Sequence, residues 1–479
     1  MPLTILSDDN VKEILHNLTR DDVAALQIAM RNAMHEYATG ATNSGACADN
    51  QPKRTVIGSA GNSTTTLFMP SISSSSIAIK VVTLACPPSN PDEAPSASAN
   101  EDATPYGSLT LMGAEGKPFG FLNAEEITAF RTALASSLLM LRRTKVKTIT
   151  VFGTGKQAYW HIRLALLLRG NTIKNVHFIN REFNERAAKI MKAFVTYDIA
   201  AKRSEGWVDT QFDLASLKYT EIDRILKQRL RASDIIICTT PSTEPLFDHT
   251  ILTNTEGRMR ARLIIAIGSY KPHMIEIPPE VVTQAIKVHG AGHHFHKRAE
   301  EGGVIVVDTL ECLREAGELV QAGVRSDRTV ELGELVMLDQ MHPHDDDSPI
   351  EDSPRSSFQD LTISLDGTRS MSKIFGDSSI ESPGSPPARS SSRKSSFTLN
   401  RKPSFSLRPS RSNSMSSQSG DSSRRKQEQT EKDDQMSRWL SSGNVIYKSV
   451  GMGLMDLVVG GEVVKLARKK NIGTTIRDF

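Results

Sequence analysis

Apolar positions in the first part of the chain recur at helical spacing. Residues 6–40, LSDDNVKEILHNLTRDDVAALQIAMRNAMHEYATG, return an apolar side chain every three or four positions. Ser7 and Thr19 precede the two apolar runs, and their hydroxyls are suited to cap a helix N-terminus. The pattern predicts two short helices.

Between Lys53 and Leu122 the pattern changes to short β-type runs. These runs, RTVIGS, SIAIKVVTLAC, GSLTLMG and GFLNA, are divided by Gly, Pro, Asn and Ser. Such punctuation predicts an antiparallel sheet. A run rich in Pro, Ser and Ala over residues 87–105 is predicted to be a flexible loop within it.

Helix-like and strand-like segments alternate from residue 124 to about residue 308. The helical pattern of AEEITAFRTALASSLLMLR is followed by apolar, β-branched runs: KTITVFG, NVHFIN, ASDIIICTT, ARLIIAIGS and GVIVVDT. The connecting sequence after each run is long enough for a helix. This alternation predicts an α/β fold with a doubly wound parallel sheet.

Residues 341–439 are rich in Ser, Pro, Asp and Arg and poor in aliphatic side chains. Such a segment cannot bury enough apolar surface to offset the entropy of ordering, so we predict a disordered insertion. The apolar, helical run NVIYKSVGMGLMDLVVGGEVVKLARKKNIG follows it. Within residues 389–414, RKSSF, RKPSF and RPSRSNS place Arg or Lys shortly before Ser, which predicts kinase sites; an unregulated spacer is the alternative.

Composition narrows the choice of partners. The 479 residues include 58 Lys and Arg against 55 Asp and Glu, a net charge of +3, so we expect neither nucleic acid nor a membrane surface as the main partner. No apolar run approaches the roughly 18–20 residues of a spanning helix. The four cysteines have no metal-site spacing and no signal peptide is evident, so we expect a soluble, cytoplasmic protein without a metal.

A phosphate-binding turn follows the strand KTITVFG. Its residues are Gly153, Thr154, Gly155, Lys156, Gln157 and Ala158, and a helical run begins directly after them. Strand, glycine turn and helix in this order form the dinucleotide fingerprint: the first Gly permits the turn, the second lets the pyrophosphate approach, and Ala lets helix and strand pack. The alternative is a merely structural glycine turn.

The end of the next strand indicates which dinucleotide is bound. It reads Asn180-Arg181-Glu182, so no acid occupies the position that normally binds the ribose 2′-hydroxyl of NAD. Arg181 can form charge-assisted bonds to a 2′-phosphate. We therefore predict NADP as the cofactor, with NAD as the alternative.

Several segments in one order resemble the ornithine cyclodeaminase and mu-crystallin family. They are QPKRTVI, MPSISSSSIAIKVVTL, EEITAFRTALASSL, VFGTGKQA, INR, TTPSTEPLF, AIGSYKPHMIEIP, VVDTLECLREAGEL and YKSVGMGLMDLV. The resemblance implies an NADPH-dependent oxidoreductase that acts on a small imino acid. It also implies a homodimer formed through the N-terminal sheet.

The resemblance further implies a discontinuous α+β domain for substrate binding and dimerisation. Together with the patterns above it divides the chain into the first part of that domain, a Rossmann domain, a return segment, the insertion and a completing C-terminal helix. The predicted bounds are 1–130, 131–308, 309–340, 341–439 and 440–479.

The resemblance also assigns residues to the cleft between the two domains. Arg54, Lys80 and Arg131 match cationic positions of the family pattern. We assign Arg131 and Arg54 to the substrate carboxylate, and Lys80 to polarising the substrate or relaying a proton near its nitrogen. Thr239, Thr240 and Ser269 are expected near the cofactor, and Ser269 also near the substrate. Two further hydroxyls, of Thr132 and Ser449, are candidate cofactor contacts. Without the resemblance, Lys80 reads equally as an edge-strand lysine and Arg131 as a salt-bridged helical arginine.

The chain departs from the cyclodeaminase pattern at two acids. Tyr270 stands where that pattern has its catalytic acid, and a phenol with an ordinary pKa near 10 cannot readily take a proton at neutral pH. His273 could substitute for that acid as a base. Leu67 stands where the pattern has a Glu, which disfavours ornithine because its terminal ammonium would want a carboxylate partner. We therefore favour reduction of a ketimine over a cyclodeaminase-type lyase, with a non-catalytic binding protein as a third hypothesis.

Overall fold

A computed structural model of the chain describes residues 2–39, 51–59, 64–85, 106–287, 303–336 and 436–479. Its α-helices are α1 Asp8–His16, α2 Arg20–Thr39, α3 Glu125–Arg142, α4 Lys156–Arg169, α5 Glu185–Val195, α6 Ile199–Glu205, α7 Ile222–Ala232, α8 Thr250–Thr253, α9 Pro279–Ala285, α10 Cys312–Glu315, α11 Gly317–Gln321 and α12 Gly453–Lys470. Short 3₁₀ turns lie at Gly257–Met259, Ser326–Arg328 and Leu332–Leu335. The strands are β1 Leu3–Leu6, β2 Thr55–Ser59, β3 Thr64–Ile72, β4 Ser76–Ala85, β5 Tyr106–Gly113, β6 Pro118–Asn123, β7 Thr148–Phe152, β8 Asn175–Asn180, β9 Gln211–Ser216, β10 Ile235–Cys238, β11 Leu263–Ala266, β12 Gly303–Val307, β13 Thr329–Glu331, β14 Asn444–Lys448 and β15 Thr474–Ile476.

The first sheet has the strand order β15-β1-β6-β5-β4-β3-β2. All neighbouring pairs are antiparallel except β1 and β6. Helix α12 packs across β3, β4, β5 and β6, so it covers the inner face. Because side chains alternate along a strand, β4 turns Ala78, Lys80 and Val82 inward and Ile79 outward.

The second sheet is parallel, with the order β13-β12-β14-β11-β10-β7-β8-β9. Successive residues of its strands alternate between two apolar clusters, so both faces are covered: Ile235 and Ile237 belong to one cluster, Ile236 and Cys238 to the other. The strand order reverses between β7 and β10, where ligands bind in open α/β sheets. The predicted fold class is confirmed.

The sequence pattern does not predict several of the observed strands. Segments β1, β3, β9 and β13 are short or only partly apolar, and Pro70 interrupts the pattern of β3. The pattern of residues 444–473 predicts a helix throughout, but its first five residues form strand β14, which ends only four residues before α12 begins. It pairs with β11 and β12, so the segment after the insertion contributes a strand to the parallel sheet as well as a helix.

Two predicted bounds differ from the observed elements. Helix α3 is continuous across the predicted domain bound at residues 130 and 131. Residues 436–442 are helical, and the side chains of Met436 and Leu440 are buried, so the last residues of the predicted insertion are ordered by apolar packing. Residues 341–435 of that segment, the kinase sites within 389–414 and the loop 87–105 lie outside the described residues.

The helix starts follow the sequence signals. The hydroxyl of Ser7 accepts from the Asn10 backbone amide at 3.3 Å, and the hydroxyl of Thr19 accepts from the Asp22 amide at 3.1 Å. Both predicted caps are therefore confirmed. Over the parts of the chain that the structure describes, no helix combines the length and apolar character needed to cross a membrane.

Candidate active site

The phosphate-binding turn lies between β7 and α4. Gly153 has a φ of 102°, a region that favours glycine, and a Cβ there would lie 2.6 Å from Thr239 Oγ1. No side chain caps α4 at Gly155, and a Cβ on Gly155 would have no neighbouring atom within 4 Å. Ala158 is fully buried. The open space at Gly155, beside the amino end of α4, fits a dinucleotide pyrophosphate.

The polar side chains of this turn have protein partners. Lys156 Nζ lies 2.5 Å from Glu125 Oε1 and 2.8 Å from Glu126 Oε2. Burial acts to lower the pKa of Lys156, but these two partners raise it above its ordinary value. Gln157 donates to a carbonyl oxygen of α3 at 3.4 Å, and Thr154 is buried. The backbone amides at the start of α4 have no side-chain cap and are suited to bind a phosphate.

A cation and an ion pair lie at the adjacent ends of β8 and β9. The side-chain amide of Asn180 donates to the Glu182 carbonyl oxygen at 2.8 Å. Arg181 is exposed, and the Glu182 carboxylate lies 2.6 Å from Lys218 Nζ. The acid next to Arg181 is thus neutralised by a second cation.

Glu276 connects the loops that follow β10 and β11. Its fully buried carboxylate accepts from the backbone amides of Thr240 at 2.7 Å, Gly268 at 2.6 Å and Ser269 at 3.0 Å. The Thr239 hydroxyl donates to the carbonyl oxygen at the end of β7 at 2.8 Å. These bonds hold the predicted cofactor residues at the carboxyl edge of the sheet.

Ser269 belongs to a fully buried polar cluster. Its Oγ lies 2.7 Å from both carboxylate oxygens of Glu318 and 2.5 Å from Lys448 Nζ. Lys448 Nζ also lies 2.9 Å from Glu318 Oε1 and 4.0 Å from Glu276 Oε2. Burial raises the pKa of Glu276 to about 7, against the lowering effect of Lys448. The Ser269 hydroxyl is bonded inside this cluster and does not open onto the cleft.

The hydroxyls of Ser449 and Thr132 are also bonded internally. Ser449 Oγ donates to Asp308 Oδ2 at 2.7 Å, and the Gly451 amide donates to the same oxygen at 2.9 Å. The Tyr447 hydroxyl donates to Asp308 Oδ1. Thr132 Oγ1 donates at 2.9 Å to the carbonyl oxygen one turn earlier in α3. Both hydroxyls therefore support backbone segments of the site.

Two of the predicted cations converge on a buried carboxylate. Lys80 Nζ lies 2.9 Å from Asp456 Oδ1, and Arg131 Nε lies 3.4 Å from the same oxygen. All three side chains are buried, Asp456 completely. Burial lowers the pKa of Lys80 to about 8, although Asp456 acts to raise it. The Lys80–Asp456–Arg131 cluster carries two positive charges and one negative charge.

The guanidinium of Arg131 has unused hydrogen-bond donors. Within the described residues, its one hydrogen bond runs from Nη1 to the Met455 thioether sulfur at 3.4 Å; its Nε is ion-paired with Asp456 but makes no hydrogen bond. A Cβ at Gly451 would lie 2.6 Å from Arg131 Nη2, so glycine there makes room for the guanidinium. A buried arginine with free donors is suited to bind an anion.

Arg54 has a different partner. Its Nη2 lies 2.8 Å from Glu315 Oε2, and Lys53 Nζ lies 3.4 Å from Glu311 Oε1. These ion pairs link the segment before β2 to the region of α10. The structure therefore brings Lys80 and Arg131 together and places Arg54 in an ion pair with the other domain.

One of the departures from the cyclodeaminase pattern, Leu67, lies on the same sheet face as Lys80. Leu67 pairs in register with Val82, and by alternation its side chain lies on the same face as Lys80. Lys271 Nζ lies 5.6 Å from the centre of the Tyr270 ring, and His273 is exposed.

Sequence reasoning missed the buried acids and one lysine of this region. They are Glu276, Asp308, Glu318, Lys448 and Asp456. Asp456 within GLMDLVVGG and Lys448 within VIYKSV are charged residues inside apolar runs, and this was the available signal.

The fold and the glycine turn define a dinucleotide-binding protein, and comparison with known sequences adds the class of NAD(P)-dependent oxidoreductase. No family profile matches the chain. An uncharacterized protein of Saccharomyces cerevisiae is 24% identical over 360 residues, 70% of this chain and 86% of that protein. Delta(1)-pyrroline-2-carboxylate reductase of Bacillus cereus is 27% identical over 290 residues, 60% and 74% respectively. An uncharacterized cyclodeaminase of Dictyostelium discoideum is 31% identical over 159 residues, 32% and 41% respectively.

Solved structures share the fold. An archaeal alanine dehydrogenase dimer with bound NAD has a TM-score of 0.56 at 17% identity and covers 100% of both chains. Delta(1)-pyrroline-2-carboxylate reductase of Thermococcus litoralis, in complex with NADH and L-proline, has a TM-score of 0.56 at 15% identity and covers 98% of this chain and 99% of that one. The resemblance to the ornithine cyclodeaminase and mu-crystallin family is confirmed, as is the class of NAD(P)-dependent oxidoreductase.

Proposed function

We propose that the protein reduces a small cyclic or open-chain imino acid, such as pyrroline-2-carboxylate or piperideine-2-carboxylate, with NADPH. The observation that carries this proposal is the Lys80–Asp456–Arg131 cluster, which has a net charge of +1 and free guanidinium donors in a buried setting. A buried excess of positive charge is stabilised by an anionic ligand. The relatives named as pyrroline-2-carboxylate reductases support this substrate class.

Arg131 is assigned to the substrate carboxylate and Lys80 to its nitrogen. The planar guanidinium can bind two carboxylate oxygens, which fixes the orientation of the ligand. With a pKa of about 8, the Lys80 ammonium can release a proton more readily than an ordinary lysine. Arg54, which is ion-paired with Glu315, is the second candidate for binding the substrate carboxylate.

The two hydrogens of the reduction have separate sources. NADPH, held at the glycine turn between β7 and α4, would supply a hydride to the imine carbon. Lys80 supplies the proton to the imine nitrogen, so the π electron pair of the C=N bond becomes the new N–H bond. Lys80 then regains a proton from water.

Preference for NADPH is assigned to the ends of β8 and β9. Arg181 is exposed there, and Lys218 neutralises Glu182, so a 2′-phosphate would meet the Arg181 guanidinium without repulsion from the neighbouring acid. A charge-assisted bond contributes about 1.5–3 kcal/mol. Arg181→Ser should therefore raise the KM for NADPH roughly tenfold or more, with that for NADH unchanged. Wild-type protein that prefers NADH would contradict this assignment.

We also propose a homodimer in the cytoplasm, formed through the outer face of the first sheet. Ile79 and Phe121 lie on that face in register with Thr110 and are 40% and 44% exposed, and Phe68 on β3 is 36% exposed. An apolar outer face is suited to a second copy. Sedimentation should show a dimer for wild-type protein and a monomer for Ile79→Lys.

The kinase sites within residues 389–414 remain a prediction.

The substrate assignment is tested with two variants and a control. Lys80→Met should lower kcat by about a hundredfold or more, because a general acid contributes about 10²–10⁴-fold. Arg131→Met should chiefly raise KM for the imino acid. The control is Lys117→Met, an exposed lysine in the turn between β5 and β6. NADPH binding, followed by fluorescence, should be retained in all three; wild-type rates in Lys80→Met would overturn the role of Lys80.

A further inference from the structure

Asp456 differs from the other buried acids near the site. Each carboxylate oxygen of Glu276 accepts a backbone amide, both oxygens of Asp308 accept hydrogen bonds, and both oxygens of Glu318 contact Ser269. Asp456 uses Oδ1 for its two cations, whereas its Oδ2 is buried and has no hydrogen bond within the described residues. An unsatisfied buried carboxylate oxygen is costly for a purely structural ion pair.

The surroundings of Lys80 contain no second anion in the part of the chain that the structure describes. Its cross-strand neighbours are Met69 on β3 and Leu109 on β5, both apolar. The charged groups that act on it are Asp456 from α12 and Arg131 from α3. Without Asp456, two buried cations would face each other with no compensating charge.

We propose, on the basis of the proposed function, that Asp456 is the positioning residue that holds the Lys80 ammonium and the Arg131 guanidinium at the two ends of the imino acid. One oxygen shared by both cations fixes the distance between the proton donor and the carboxylate clamp. Asp456 also keeps Lys80 protonated, because its charge opposes the effect of burial. It acts through Lys80 and Arg131 and takes no part in the bond changes.

The test compares Asp456→Asn with wild-type protein over a range of pH. Wild-type kcat/KM should fall above about pH 8 as Lys80 loses its proton. Removing the carboxylate that raises the pKa of Lys80 should move this fall to lower pH and lower kcat/KM by about a hundredfold at neutral pH. Asp456→Glu should restore part of the rate.

A double-mutant comparison separates positioning from a general loss of structure. If Asp456 acts through Lys80, Asp456→Asn should cause little further loss of kcat in a Lys80→Met background. Asp234→Asn, which removes a buried carboxylate at the amino edge of the parallel sheet, is the matched control and should leave the pH profile unmoved. NADPH binding and circular dichroism report whether each variant folds.

The outcomes distinguish the two proposals. Absence of imine reduction by wild-type protein would reject the proposed function itself. Imine reduction by wild-type protein, together with an unchanged pH profile and rate in Asp456→Asn, would overturn the positioning role and leave the function standing. Additive losses in the double mutant would show that Asp456 does not act through Lys80. Should Asp456→Asn fail to fold, binding of pyrrole-2-carboxylate to folded Asp456→Glu decides: affinity equal to that of wild-type protein overturns the positioning role.

Discussion

Two glycines in the turn between β7 and α4 have different roles, although they lie two positions apart. Gly153 is needed by the fold, because its φ of 102° and the nearby Thr239 hydroxyl leave no room for a side chain. The fold places no such constraint on Gly155, because a Cβ there would meet no protein atom within 4 Å, and we propose that a bound dinucleotide requires this glycine. The turn therefore contains one glycine that the fold requires and one that we propose cofactor binding requires.

Alanine substitutions at these glycines should have opposite signatures. Gly155→Ala should keep the melting temperature of the wild-type protein and weaken NADPH binding by roughly tenfold or more, since charge-assisted bonds to the phosphate would lengthen. Gly153→Ala should lower the free energy of unfolding by about 1–3 kcal/mol. Calorimetric unfolding and NADPH titration measure both effects; equal NADPH affinity in Gly155→Ala and wild-type protein would show that the phosphate does not approach this turn.

At the scale of elements, α3 connects the two sheets. It packs on α4 of the dinucleotide-binding domain and on α12 of the first domain, and it carries Arg131 between them. Ser136 of α3 and His161 of α4 form a buried hydrogen bond of 2.9 Å. Burial lowers the pKa of His161 to about 4, despite the opposing hydrogen bond that its Nδ1 donates to the Gln157 carbonyl oxygen.

This histidine should make stability depend on acid pH. The unfolded chain takes up a proton at His161 near pH 6.5 and the folded protein only near pH 4, so the stability contribution is complete above pH 6.5 and is lost as pH falls towards 4. The loss should reach about 3 kcal/mol, at about 1.4 kcal/mol per pKa unit. Urea unfolding at several pH values gives the free energy of unfolding as a function of pH. This free energy should change less between pH 6.5 and pH 4 in His161→Gln than in wild-type protein; the same change in both proteins would refute the assignment.

At the scale of the whole molecule, the segment that follows the insertion begins close to the point where the segment before the insertion ends. Arg142 donates to the carbonyl oxygen of Leu335 at 2.9 Å, and its neighbour Arg143 donates to that of Leu440 at 3.2 Å. Both ends of the undescribed stretch 337–435 therefore lie at the carboxyl end of α3. The returning segment then supplies β14 to the parallel sheet and Asp456 to the cluster.

The insertion should therefore be dispensable for folding. Replacing residues 341–435 by about ten Gly and Ser residues, which span roughly 17 Å on average, should keep NADPH affinity and melting temperature. Ending the chain at residue 435 should abolish both, because β14 lies between β11 and β12. Loss of NADPH binding in the linker variant would mean that the insertion is part of the fold.

The sequence supported the fold class well and the site only in part. Strong β-branched runs and the glycine turn identified five of the parallel strands, whereas β14 was hidden by the apolar helix that follows it. Lys80 and Arg131 were recognised by resemblance, but Asp456 is separated from Lys80 by 376 positions. No local pattern predicts that partnership. The internal bonds of Ser269 and Ser449 likewise depend on acids brought close only by the fold.

The most direct test of the central claim is a stoichiometry. Purified protein would be incubated with NADPH and pyrroline-2-carboxylate or piperideine-2-carboxylate, while the consumed NADPH, the amino acid formed and any ammonia are measured. We predict one NADPH oxidised for each amino acid formed and no ammonia released. Two results would contradict the claim that the protein reduces an imino acid with NADPH. One is that the protein binds neither NADPH nor NADH; the other is that it releases ammonia from ornithine without net NADPH consumption.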